Sequence, residues 1–397
     1  MGRKPAAQQP QVPHTLQMEV ETVSSGWLLL DTLVSYWGGF PAGSINVISG
    51  VPNSGKTSIC VNATIDALQK GWKVIYFDVE GRLVANPQRL LRKGVTPELV
   101  REKLLYYPGE SIVEKVASII RGEITASNDY PRLIVIDSLS SMQSLKQFSV
   151  LQAGKWEEQG SQLVAALSRG IVEAFKDLFT YYTASKGLIF LLTAQVRANI
   201  QPGHFRPTRP AIGYYVLHAA HTHIYLYSYD TKKSEVDESL LGIPLEVKLT
   251  GAAEPRTAFR TVVATLEKGQ LSPAGSNITI RGLMFQVALP HYDIYLGDFH
   301  NCYDILKYGR NPSTQFLKKT AEGYVTPSNK EFTPQRLIES VELRNEVLKE
   351  CAPLLREKLH AALQSLSRVR KRRETSQEVA DDEEDEMTED EGWDDGG

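Results

Sequence analysis

The stretch that most constrains this chain is SINVISGVPNSGKT, Ser44 to Thr57. Ile45, Val47 and Ile48 read as a buried strand, and the pattern Gly50, four residues, Gly55, Lys56, Thr57 follows directly. Glycines at this spacing let the backbone curl so that successive N–H groups point inward at a phosphate. From Lys56 to Lys70 the apolar residues Ile59, Ala63 and Leu68 precede Gly71, the signature of a helix with a glycine cap. The loop therefore joins a strand to a helix N-terminus, where peptide dipoles also favour an anion. Gly50, Val51, Pro52, Asn53, Ser54, Gly55, Lys56, Thr57 and Ser58 are the expected phosphate contacts. Lys56 would reach the β- and γ-phosphates and the Thr57 hydroxyl would ligate magnesium.

Further along, apolar runs alternate with helical patterns as a parallel sheet requires. KVIYFDVE (Lys73 to Glu80), LLYYP (Leu104 to Pro108), RLIVIDS (Arg132 to Ser138) and GLIFLLTAQ (Gly187 to Gln195) are the strands. From Thr222 onward the pattern becomes mostly strands, and from about Thr333 to Leu366 it is helical, after a Gly, Pro and Asn-rich stretch that reads as a linker. The fold class expected is α/β, a mainly parallel twisted sheet flanked by helices, with a small helical C-terminal region. In such sheets ligands lie at the carboxyl ends of strands. Asp137 ends LIVI and is positioned to complete the metal site begun by Thr57. Glu80 could orient or deprotonate an attacking water, and Gln195 could sense a γ-phosphate. The structural alternative for each is a polar residue that only caps the sheet.

Charge is distributed unevenly. Thirteen of the 47 acidic residues lie between Glu374 and Gly397, a stretch without Lys or Arg, so the preceding chain carries 44 basic residues against the other 34 acids, a net of +10. The tail reads as disordered, and RVRKRR, Arg368 to Arg373, precedes it. A basic body with an acidic tail suits a nucleic-acid surface with a competitor; a solubilising tail is the alternative. Cys60, Cys302 and Cys351 are scattered, forming neither a disulfide framework nor a metal pair. No apolar run spans a bilayer and no export signal opens the chain, so a cytoplasmic protein is expected.

The succession TVSSGWLLLDTLVSYWGGFPAGSINVISGVPNSGKT, FDVEG, LIVIDSLSSM and LLTAQVR resembles the core of the RecA recombinase family, including phage recombinases of the UvsX kind. The resemblance covers roughly Thr22 to Leu289. It implies an ATP-binding core at 22–300, an N-terminal arm at 1–21 for protomer contacts, a small C-terminal domain at 301–367, and the basic cluster with its acidic tail at 368–397. It implies ATP and Mg2+ at Lys56, Thr57 and Asp137, water activation by Glu80 and γ-phosphate sensing by Gln195. Lys268, in TLEKGQ, would reach the neighbouring protomer's ATP; a hairpin at Leu240 to Pro255 precedes it. Asn86 and Arg89 are candidate adenine contacts.

Two segments match the family's DNA-gripping loops. Leu145 to Gln159 offers Lys146, Lys155 and Trp156, with Phe148; Arg197 to Gly213 offers Arg197, His204, Phe205, Arg206 and Arg209. Arginines neutralise phosphates and aromatic rings stack on bases. The second segment, rich in Gly and Pro, reads as a mobile loop. The resemblance thus implies a DNA-dependent ATPase that polymerises into a helical filament on single-stranded DNA, pairs it with duplex DNA and exchanges strands. Single-strand-binding and mediator proteins are candidate partners. A ring-forming RecA-fold helicase or other DNA-dependent ATPase is the alternative, a P-loop kinase or an ATP-binding scaffold a more distant one. Zinc at His218, His221 and His223 lacks a fourth ligand.

Overall fold

The chain enters through β1 (Thr22–Val23), which pairs antiparallel with β2 (Phe40–Pro41) around the short buried helix α1 (Leu28–Val34). Asp31 of that helix organises the lead-in: it accepts from the Ser24 hydroxyl and, at 2.7 Å, from the Ser25 backbone N–H. The SSG and LD portions of the lead-in are therefore a structural clamp. This computed structural model describes residues 20–83, 90, 94–126, 128–153, 169–198, 208–241, 246–247, 256–257, 259–285 and 298–363.

Four crossovers build the centre. β3 (Ser44–Gly50) runs through α2 (Lys56–Gln69) to β4 (Val74–Asp78); α3 (Pro97–Lys103) leads to β5 (Leu104–Pro108); α4 (Val113–Ala126) leads to β6 (Leu133–Asp137). Helical turns through residues 169–186, with a π-helical segment at Leu178–Tyr182, precede β7 (Ile189–Ala198). The chain continues into β8 (Thr208–Pro210), β9 (Thr222–Asp230), β10 (Glu246–Val247), β11 (Arg256–Thr257), β12 (Phe259–Gly269) and β13 (Ile278–Phe285). The main sheet has the order β13-β12-β9-β3-β7-β6-β4-β5, with β8 on β7. β9 through β5 are parallel, while β12 and β13 are antiparallel additions.

Both faces of β3, β4, β6 and β7 are covered, which is why these strands place apolar residues on both faces rather than alternating; β5, at the edge, is only partly buried. One face packs Val47, Phe77, Ile136 and Phe190 against α4 and Phe175. The other packs Ile48, Tyr76, Val135 and Leu191 against α2 and α1. The chain departs from β3 first toward β4 and later, from β7, to β9 on the opposite flank, so a crevice opens at the carboxyl end of β3. Cys60, Cys302 and Cys351 are buried thiols that form no disulfide with one another.

The C-terminal part holds a helix at Asp298–Gly309, a three-stranded sheet of β14 (Lys318–Lys319), β15 (Tyr324–Val325) and β16 (Glu331–Phe332), then helices at Pro334–Glu339 and 341–363. The stretch expected to be a linker is thus a small sheet, with strands too short to show any periodicity. The final helix docks on the core: Val347, Cys351 and Leu355 join the α1 leucines, and the His360 ring meets the Thr32 carbonyl at 3.1 Å. Among the described residues no helix is long and apolar enough to cross a membrane.

Candidate functional site

Gly50 ends β3 where a side chain has no room. Its φ is +154°, and a Cβ there would lie 2.0 Å from the Leu226 carbonyl oxygen of β9. Gly55, at φ +96°, sits in the left-handed region as the N-cap of α2. Between them the loop folds around Lys56, whose Nζ donates to the carbonyls of Gly50 and Val51 at 2.8 Å each. Burial, then the nearby Arg82 guanidinium, depress the Lys56 ammonium, while Asp137 and Glu80 act in the opposite direction. The Ser54 hydroxyl is buried and makes no hydrogen bond among the described residues, an open donor inside the loop. Thr57 and Ser58 lie in the first turn of α2.

Asp137 closes β6, nearly buried. It accepts from the hydroxyls of Thr193 at 2.6 Å and Tyr76 at 3.2 Å. A carboxylate and a hydroxyl are hard oxygen ligands, so the Thr57 and Asp137 pair fits magnesium chemically. Glu80, just beyond β4, receives the Ser138 hydroxyl at 2.7 Å, the Ser141 hydroxyl at 2.8 Å and the Gln195 amide at 2.8 Å, all on Oε1. Burial raises its pKa, but those three donors and the charge of Arg82 outweigh burial and hold the carboxyl below its ordinary value. Gln195 is in register with Gly50, and its backbone N–H donates to the Ser140 hydroxyl at 3.0 Å. The turn Leu139–Ser141 therefore ties three strand ends, β4, β6 and β7, into one cluster.

Lys56, Asp137, Glu80 and Gln195 thus converge. Lys268 does not join them: its Nζ donates to the carbonyls of Leu217 at 3.2 Å and His218 at 2.6 Å, at the end of the helix Tyr214–Ala219. Lys146 is exposed in a helix, Leu145–Gln152, so the first DNA-type segment opens as a helix with Leu145 and Phe148 exposed rather than as a loop. The second segment begins as an antiparallel ribbon: β7 runs to Ala198 and pairs with β8, setting Arg197 opposite Arg209. The mobile-loop expectation is corrected for this stem, because β7 extends past the sheet and carries the chain outward. Lys155, Trp156, His204, Phe205 and Arg206 lie outside the described residues, as do the Arg209 side chain, Asn86, Arg89, residues 1–19 and the tail. The hairpin after Leu240 is represented by β10 and β11, which pair antiparallel.

The histidines are engaged by protein. The His221 Nδ1 accepts from the Ile45 N–H at 3.1 Å, and His223 bridges the Ser49 hydroxyl and Glu267 at 2.8 and 3.1 Å. Sequence reasoning assigned nothing to Ser138, Ser140, Ser141, Thr193 or Arg82. The run DSLSS after the fourth apolar run was the visible signal for the serines; Arg82 had none.

A strand, a glycine loop and a helix at the switch point of a parallel sheet define a phosphate-loop α/β protein with the RecA-like fold. Residues 11–208 match the family model described as the RecA N-terminal domain. The chain is 29% identical over 194 residues to the DNA repair and recombination protein RadB of Thermoplasma acidophilum, covering 49% of this chain and 75% of that protein. It is 30% identical over 189 residues to the RecA protein of Bdellovibrio bacteriovorus, covering 47% and 45%. With the RecA protein of Bacillus subtilis it shares 27% over 183 residues, covering 46% and 47%. The chain therefore spans about half the length of these RecA relatives. It belongs to the RecA family.

Proposed function

We propose that this protein is an ATP-dependent recombination protein that polymerises on single-stranded DNA and catalyses homologous pairing and strand exchange, with DNA-stimulated ATP hydrolysis. The observation that carries the reading is the cluster of Glu80, Gln195 and the Ser138–Ser141 turn beside Lys56. A carboxylate at the phosphate end of a parallel sheet can take a proton from an attacking water. Its partner Gln195 lies on the strand that continues into Arg197, and its partner turn precedes Lys146, so both candidate DNA segments begin a few residues from the carboxylate's donors. The recombination proteins among the relatives support the same class of function.

In this reading Lys56 and the N–H groups of the loop hold the triphosphate, and Gln195 reports its terminal group. Thr57 and Asp137 would hold magnesium, which supplies neutralisation of the phosphate charge when bound. Lys146, Lys155 and Trp156 and the residues Arg197, His204, Phe205, Arg206 and Arg209 contact DNA. Lys268 leaves its carbonyl partners to reach a neighbouring protomer's nucleotide. The core at 22–300, the C-terminal domain at 301–367 and the arm at 1–21 are the corresponding division of the chain.

The test is steady-state ATP hydrolysis without DNA, with single strands and with duplex, beside Lys56→Ala, with electron microscopy of the same samples. Stimulation by single strands together with helical filaments is expected. DNA-independent turnover, or closed rings, would overturn the recombinase reading.

A further inference from the structure

Glu80 is engaged on both carboxylate oxygens. Besides the three donors on Oε1, the Arg82 Nε sits 2.7 Å from Oε2. The turn that carries Arg82 is itself pinned. Asp78, fully buried at the end of β4, accepts the backbone N–H of Arg82 at 2.9 Å and of Leu83 at 2.8 Å, and its carbonyl accepts the Gly81 N–H at 3.2 Å. The Tyr106 hydroxyl adds a bond of 2.6 Å to the same carboxylate. Arg82 is thereby anchored by its backbone while its side chain, 43% exposed, leans back over the acid two residues earlier.

A carboxylate offers about four acceptor directions, two on each oxygen. Three donors on one oxygen and a guanidinium on the other leave little of Glu80 for a water, and a charge-assisted bond lowers the basicity of the oxygen that accepts it. We propose that Arg82 is a positioning residue that latches Glu80 away from water in the DNA-free protomer, with or without nucleotide, and that assembly on DNA opens the latch so that hydrolysis waits for a fully assembled site. The inference rests on the reading of Glu80 as the water-activating residue.

The latch is a single charge-assisted contact from a half-exposed side chain, which a rearrangement of the site can open without disturbing the core. The serines and Gln195 would retain Oε1 and keep Glu80 oriented while Oε2 is freed. Removing the guanidinium should therefore release a base that is already in place.

The experiment uses the full chain with ATP and magnesium, with and without single-stranded DNA, comparing Arg82→Ala, Arg82→Gln, Arg82→Lys and Glu80→Gln. Arg82→Ala and Arg82→Gln should raise kcat without DNA by about tenfold, the rate equivalent of one charge-assisted hydrogen bond, with KM for ATP changed by less than about twofold. Arg82→Lys, which keeps the cation, should return basal turnover toward the parent value. Thermal unfolding should be unchanged in all three, since the side chain is half exposed. A higher KM at constant kcat would make Arg82 a phosphate-binding cation and overturn the latch, as would unchanged or lower DNA-free turnover. Full turnover in Glu80→Gln would instead overturn the role of Glu80, an outcome distinguishable because it appears with Arg82 intact.

Discussion

At the scale of single residues, Gly50 and Asp304 carry consequences that differ in kind. Gly50→Ala puts a methyl group 2.0 Å from a backbone oxygen that belongs to the neighbouring strand and cannot swing aside. It should cost about 3 kcal/mol or more in urea unfolding and also open the loop, weakening nucleotide binding in a fluorescence titration. Asp304 is fully buried in the helix Asp298–Gly309; burial, partly offset by Lys307 and Trp27, raises its pKa to about 8. The folded protein therefore holds a proton that the unfolded chain releases above about pH 4. Its stabilising contribution is complete below that value and is lost as pH rises toward 8. Asp31, buried in α1 and raised to about 6, behaves likewise over a lower range. Asp304→Asn should consequently gain stability relative to the parent as pH rises from 6 to 8, read as the difference in urea midpoints. A constant difference across that range would contradict the assignment.

At the scale of elements, apolar runs in the sequence read correctly as the strands β3, β4, β5, β6 and β7, because a strand in the middle of a covered sheet needs apolar residues on both faces and so stands out as a run even with a buried Asn46 or Thr193 in it. Glu80, Asp137 and Gln195 were legible for the same reason: each is the polar residue that stops or closely follows such a run. The extension of β7 was not legible. Val196, Arg197 and Ala198 pair with Thr208–Pro210, and a ribbon of three pairs rich in Arg and Pro has no alternation to detect. That ribbon sets Arg197 at its exposed edge. Arg197→Ala should weaken single-stranded DNA binding and lower the magnitude of the slope of log K against log salt by about 0.7, one phosphate contact. An unchanged slope would remove Arg197 from the DNA surface.

At the scale of the whole molecule, the sheet order decides which strand ends meet. β3 has β7 on one side and β9 on the other, which brings Gly50 beside Gln195 and against Leu226. Charge belongs to this scale as well. Deleting Glu374 to Gly397 removes 13 acidic residues from a chain otherwise at +10 and should increase duplex DNA affinity, roughly tenfold at low salt and less as salt rises. No change in a duplex binding titration would refute a competing role for the tail.

The sequence by itself determined the phosphate loop, the alternation of strand and helix, and the three polar strand-end residues, because each is encoded within a few neighbouring positions. Only the tertiary structure decided what holds Glu80: Ser138 and Gln195 lie 58 and 115 residues away along the chain, and no local pattern states that they touch it. The same is true of Lys268, whose amine rests on carbonyls some 50 residues earlier. Periodicity records which face of an element is buried, since burial selects apolar side chains at every turn or second residue. It does not record which elements pack together, and that packing brought Thr193 and Tyr76 to Asp137 and Ser138, Ser141 and Gln195 to Glu80.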